Sequence, residues 1–203
     1  MTNFYLKDPD CVFIHIKKTG GSSIRKGIWN EKYEGPFFGF IPEECEQLFK
    51  FAFVRNPVDR FLSAYKMFAH GTTHVRKLTE YPKISLSEFA EVVFDESIKN
   101  NFGAQSTSEE RIKHHTSPQT DPINCLAMAD YVAKYENYQD EVINICKKLG
   151  KKVAKIPVRN RTIPRSIPLD QQMLERIIDF YRTDFDELGY DARIEKYLYG
   201  RNP

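Results

Sequence analysis

Residues 11–29 read CVFIHIKKTGGSSIRKGIW: an apolar run, then Lys17-Lys18-Thr19-Gly20-Gly21-Ser22-Ser23, then a return to apolar residues at helical spacing. Two glycines let a backbone come close to a ligand, successive N–H groups at a helix start offer donors, and Ser22 and Ser23 add hydroxyls. With the Lys18 cation this is the chemistry of an anion cradle, and a nucleotide phosphate is its commonest occupant. A Gly-Gly turn with solvated lysines would carry the same letters. The order is not that of GxxxxGK[ST], because Lys18 precedes both glycines. A second constellation follows in FAFVRNPVDRFLSAY: Arg55 closes an apolar run and Ser63 lies eight residues on. A guanidinium grips a terminal phosphate with two parallel donors and a serine hydroxyl adds a neutral one. The competing role for Arg55 is an ion pair with Asp59 or Asp130. Two anion sites in one fold point to a ligand phosphorylated at two places.

Both constellations need strand-loop-helix supports, and the pattern around them provides these. Residues 12–16 and 51–54 are short, nearly continuous apolar runs of the kind that become buried parallel strands, and each is followed by a helical segment. Residues 131–135 and 153–158 are further candidate strands; helices are expected over 86–98, 137–149 and 169–181, with a last helical stretch after Gly189. Residues 33–40 and 100–122, rich in Gly, Pro, Ser, Thr and Asn, read as loops. The alternation predicts an α/β fold with a central, mainly parallel sheet flanked by helices. At 203 residues, without repeat or linker, the chain is expected to form a single domain over 1–203.

Charge and cysteine usage narrow the function. Thirty basic and 28 acidic residues leave no global field for nucleic-acid binding. Four scattered cysteines form no CxxC pair, which argues against a zinc site, and reduced thiols are the default. No apolar stretch reaches membrane-spanning length, and a cytoplasmic protein is expected.

HIKKTGGSS with FVRNPVDRFLSAY resembles the sulfotransferases that use 3′-phosphoadenosine 5′-phosphosulfate, in particular the carbohydrate sulfotransferase branch with its HxPKTGG[ST]S and RNPxxRxxSxY motifs. HTSPQ from His115, DYVAKYEN and FYRTDFDELGY are similar to later segments of that family. The resemblance implies a three-layer fold like that of P-loop NTPases and transfer of a sulfuryl group to a hydroxyl, on a carbohydrate or glycosylated small molecule, without metal. It assigns Lys18 to the phosphosulfate and to charge developing on the bridging oxygen, Thr19, Gly20, Gly21, Ser22 and Ser23 to the 5′-phosphate, and Arg55 and Ser63 to the 3′-phosphate. A cofactor-closing segment of the family falls near Asn160 and Arg161.

Two departures stand out: Lys17 occupies a position that is usually proline, and residues 30–50, where related enzymes carry a histidine or glutamate as base, contain no histidine and leave Glu31, Glu34, Glu43, Glu44 and Glu46. Glu34, in the loop-like stretch 33–40, and His115, whose ordinary pKa suits proton abstraction, are the candidate bases. His15 reads as a buried, hydrogen-bonded residue. An ATP-dependent small-molecule kinase, or a nucleotide-binding module without turnover, are the competing functions.

Overall fold

A computed structural model describes residues 2–70, 84–101, 103–153, 156 and 167–198. The contacts divide the chain into two compact units, Met1–Arg55 with Gln119–Arg161, and Asn56–Pro118 with Thr162–Pro203.

The first unit is built on a five-stranded sheet: β1 Thr2–Leu6, β2 Cys11–His15, β3 Tyr33–Phe38, β4 Lys50–Val54 and β5 Tyr131–Lys134, in the order β3-β1-β2-β4-β5. β2, β4 and β5 pair in parallel, whereas β1 is antiparallel to both β2 and β3. The α/β expectation therefore holds, with a parallel half joined to an antiparallel margin. β2 and β4 are buried along their whole lengths, which is why they read as unbroken apolar runs. On one face Phe4, Phe13, Phe51 and Phe53 pack with Ile24, Trp29, Val142 and Ile145, the last two from the helix Tyr138–Lys148. The Phe13 and Phe51 rings stack with centroids 5.2 Å apart. Burial of each such ring contributes about 2 kcal/mol.

The second unit is helical: α1 Pro57–His70, α2 Leu86–Phe94, α3 Ser108–Thr116, then, after α4 (Tyr138–Lys148) in the first unit, α5 Gln171–Phe180, α6 Arg182–Glu187 and α7 Glu195–Leu198. Phe61, Phe68, Phe89, Val93, Ile112, Leu174, Ile177 and Phe185 form its core. Asn56 caps α1 by accepting from the Val58 N–H at 3.0 Å and the Asp59 N–H at 3.3 Å. Ser85 with Glu88, and Thr107 with Glu110, close reciprocal capping boxes on α2 and α3. Arg60 is 1% exposed. It donates to the carbonyls of Thr116 at 3.2 Å and Ser117 at 2.5 Å, satisfying the C-terminal end of α3.

Three expectations are corrected. Residues 33–40 are not a loop: most form β3, an edge strand whose backbone pairs with β1 although four of its six residues are exposed. Residues 100–122 are not a continuous loop, because the Thr107 cap starts α3 inside them. Of the expected strand 153–158, Val153 and Ile156 are not in a strand, and the other four residues lie outside the described residues.

Candidate functional site

β2 delivers the chain to the glycine loop at its C-terminal end, the edge where parallel α/β sheets take their ligands. His15 is 7% exposed, and its Nδ1 lies 3.3 Å from Thr2 Oγ1. Its Nε2 packs so closely on the loop that a Cβ on Gly21 would stand 2.2 Å away; only glycine fits there. Lys18 at φ 71° and Gly20 at φ 87° are both left-handed. That conformation is ordinary for Gly20 but costs of order 1 kcal/mol at Lys18, and such strain collects at functional sites.

The loop's polar groups divide into those already engaged and those left to a ligand. Thr19 is fully buried and its hydroxyl donates to the Ile16 carbonyl at 2.8 Å, so its backbone rather than its side chain faces the cradle. The Gly20 carbonyl accepts from the Ser23 N–H at 2.9 Å and from the Tyr138 hydroxyl at 3.1 Å. Among the described residues, the N–H groups of Gly20, Gly21 and Ser22 have no acceptor. A six-residue π-helix, Ser23–Ile28, follows, with the Trp29 N–H reaching five residues back to Ile24.

Arg55 leaves the end of β4 and is held at several points. The buried Gln119 side chain accepts from the Arg55 N–H and donates to the Arg55 carbonyl, both at 2.8 Å. The guanidinium donates to the Lys18 carbonyl at 3.3 Å and lies 4.6 Å over the centre of the Tyr135 ring. Among the described residues Arg55 joins no ion pair, and Asp130 instead accepts from the Lys50 N–H at 2.7 Å.

Burial, with Arg55 as the second cause, pushes the Lys18 ammonium down to about 8. Lys17 is pushed down to about 7 by burial and by the cations Arg25 and Lys18. Lys17 donates to Thr2 Oγ1 at 2.9 Å, so in place of a proline the loop carries a second amine tied to β1.

Of the residues singled out in the sequence, Lys18, Thr19, Gly20, Gly21, Ser22, Ser23 and Arg55 are thus gathered at the ends of β2 and β4. Glu34 is elsewhere. It lies across from Tyr5, which pairs with Val12, about 10 Å along the strands before the level of His15, and it is ion-paired with Lys7. Ser63, half-buried on α1, and His115, half-buried on α3, belong to the second unit. His115 Nδ1 sits 2.8 Å from the Arg111 carbonyl, an acceptor, so Nδ1 carries the hydrogen and a neutral ring keeps its lone pair on Nε2. Asn160 and Arg161 lie outside the described residues. Gln119, Tyr135 and Tyr138 were not expected as site residues, although Gln119 is the last letter of HTSPQ and both tyrosines fall in or beside DYVAKYEN.

Two cation-bearing strand ends meeting at a glycine loop define a class of anion site, and the family comparison decides among its members. A model of the sulfotransferase family matches residues 4–191. The chain belongs to the sulfotransferase family. No curated protein and no solved structure matches it. The matched span takes in the glycine loop, Arg55, Ser63 and His115. This sulfotransferase is accordingly a transferase of the α/β, P-loop-like class, moving a sulfuryl group to a hydroxyl acceptor. Among the described residues no cluster of three His, Cys, Asp or Glu could hold a metal ion, and no helix is long and apolar enough to cross a membrane.

Proposed function

We propose that the donor is 3′-phosphoadenosine 5′-phosphosulfate and that the acceptor is a hydroxyl of a carbohydrate or glycosylated small molecule. The observation that carries this reading is the contact of the Arg55 guanidinium with the Lys18 backbone. It brings together two cations, each on its own phosphate motif, as a ligand with phosphates at both ends of one ribose requires. In the reaction the acceptor oxygen forms a bond to sulfur while the bond from sulfur to the bridging phosphate oxygen breaks. Lys18 and the N–H groups of Gly20, Gly21 and Ser22 stabilise the charge left on the phosphate side. Arg55 binds the 3′-phosphate, and Ser63 is assigned to the same phosphate on its motif alone.

His115 is the base this reading favours, because it stands in the HTSPQ segment similar to the family's and a neutral imidazole can take the acceptor's proton. Glu34 is disfavoured by its ion pair and by its place along the strands. Titration with 3′,5′-bisphosphoadenosine tests the donor: binding in the micromolar range, lost in Lys18→Ala and in Arg55→Ala, supports it. Binding of ATP with none of the bisphosphate refutes it in favour of a kinase. Transfer of label from the phosphosulfate to a member of a glycan panel, abolished in His115→Ala, tests the acceptor and the base. Stoichiometric binding without transfer to any acceptor would leave a module that has lost turnover.

A further inference from the structure

The 3-10 turn Tyr135–Asn137 and the first residue of α4, Tyr138, which follows it directly, touch both halves of the candidate nucleotide site. Tyr135 and Tyr138 are three residues apart across the 3-10 turn, so they share one side of it, with ring centroids 5.3 Å apart. Both pack directly on Gly20: a Cβ there would stand 2.7 Å from Tyr138 Cε2 and 3.1 Å from Tyr135 Cε2. Their polar contacts diverge. The Tyr138 hydroxyl reaches the Gly20 carbonyl and the Ser23 side chain, and its ring rests on Phe53, centroids 4.9 Å apart. The Tyr135 ring supports the Arg55 guanidinium.

A carbonyl that turned into an anion cradle would repel the ligand and withdraw the neighbouring N–H groups from it. The Gly20 carbonyl is kept out by two donors, the Ser23 N–H and the Tyr138 hydroxyl. Burial holds the Tyr138 phenol far above its ordinary range, so it stays a neutral donor throughout the working pH range. Arg55 has its backbone fixed by Gln119, but its guanidinium is steered by the Tyr135 face and the Lys18 carbonyl alone among the contacts described.

We infer that Tyr138 and Tyr135 are positioning residues that divide the work of the nucleotide site: Tyr138 orients the glycine loop for the 5′-phosphate group, and Tyr135 orients Arg55 for the 3′-phosphate. This inference rests on the bisphosphate reading of the site above. Because the 3-10 turn that leads into α4 joins the two tyrosines, the spacing between the two anion positions is set by this entry to α4 rather than by either motif.

The test uses the full chain and three ligands: 3′,5′-bisphosphoadenosine, adenosine 5′-monophosphate and adenosine 3′-monophosphate. Tyr138→Phe removes the hydroxyl and keeps the ring. It is expected to weaken the two ligands bearing a 5′-phosphate about five- to tenfold and to leave the 3′-monophosphate unchanged. Tyr135→Leu is expected to weaken the two ligands bearing a 3′-phosphate by a similar factor and to spare the 5′-monophosphate, with Tyr135→Phe restoring the parent values. A general loosening of the fold would move all three ligands alike in both variants, and that pattern, or affinities within twofold of the parent throughout, overturns the inference. If the parent chain binds no bisphosphate at all, the reading of the site falls and the inference with it; if the parent binds and the selective losses are absent, only the inference falls.

Discussion

Nucleotide binding should draw protons into this protein, because the cradle's lysines are partly neutral before the ligand arrives. Lys18 is pushed down to about 8 by burial and by Arg55. A ligand phosphate beside it favours the charged form and returns it toward or above its ordinary range near 10.4. The sign follows: the free protein holds fewer protons than the complex, so affinity is full below pH 7 and is lost as the pH rises through 8. The charged fraction of Lys18 falls from about 0.9 at pH 7 to about 0.1 at pH 9, which weakens binding about tenfold, or about 1.4 kcal/mol. The second ionisation of a phosphate monoester lies near pH 6, so the ligand adds little over this window. At pH 8 Lys18 alone takes up about 0.5 proton per complex, and Lys17, pushed down to about 7, adds up to about 0.9 where the ligand field recharges it too. Calorimetric titration of 3′,5′-bisphosphoadenosine at pH 8, in buffers of different ionisation enthalpy, reads this number directly. Lys17→Met should reduce it to about 0.5. Zero uptake at pH 8, or an affinity constant from pH 7 to pH 9, would refute the reasoning.

Other consequences are independent of proton linkage. Gly21→Ala places a Cβ against His15 Nε2 and should lower bisphosphate affinity at least about tenfold; adding His15→Ala to the same chain should recover most of it, and a single variant that binds like the parent contradicts the contact. Gln119→Leu removes both bonds that hold the Arg55 backbone and should weaken the bisphosphate about tenfold while leaving adenosine 5′-monophosphate unaffected; equal loss for both ligands argues against it. Arg60→Met leaves the Ser117 carbonyl without its Arg60 donor, while the Thr116 carbonyl keeps the Tyr181 hydroxyl, and should cost about 2 kcal/mol in urea unfolding; a loss below about 0.5 kcal/mol shows that the cap is dispensable. Thr107→Ala should cost about 1 kcal/mol by opening its capping box, measured the same way, with an unchanged midpoint as the opposing result.

The plainest strands in the sequence are those whose side chains meet the same environment on both faces. β2 and β4 are buried throughout, so CVFIH and KFAFV announce themselves. β3, YEGPFF, is held by its backbone to β1 while four of its six residues face solvent, and its Gly-Pro pair reads as a turn. α3 was hidden for another reason: SEERIKHHT buries Arg111 and His114 beside a single aliphatic residue, Ile112, so it has almost no apolar stripe. Its Thr107-x-x-Glu110 capping box was the available signal. At the site, Lys18, the glycines and Arg55 were found because each motif is contiguous. Gln119, Tyr135 and Tyr138 were not, because their partners lie far away in sequence; Gln119 meets Arg55 across 64 residues, and Tyr138 meets Gly20 across 118. Spacing within a motif says what a loop can bind, whereas what holds the loop still is a property of the folded sheet.

The edge strand has a consequence for self-association. A terminal strand offers a row of backbone groups on which a second copy can template itself, and Phe37 and Phe38 make β3 more adhesive than most. Pro36 has no N–H to offer a docking chain, and the irregular register between Asn3 and Tyr5 bends the ladder just inside it. Replacing Pro36 by a β-branched residue would regularise that margin, and the cost would emerge as turbidity in concentrated solution rather than as any change in catalysis.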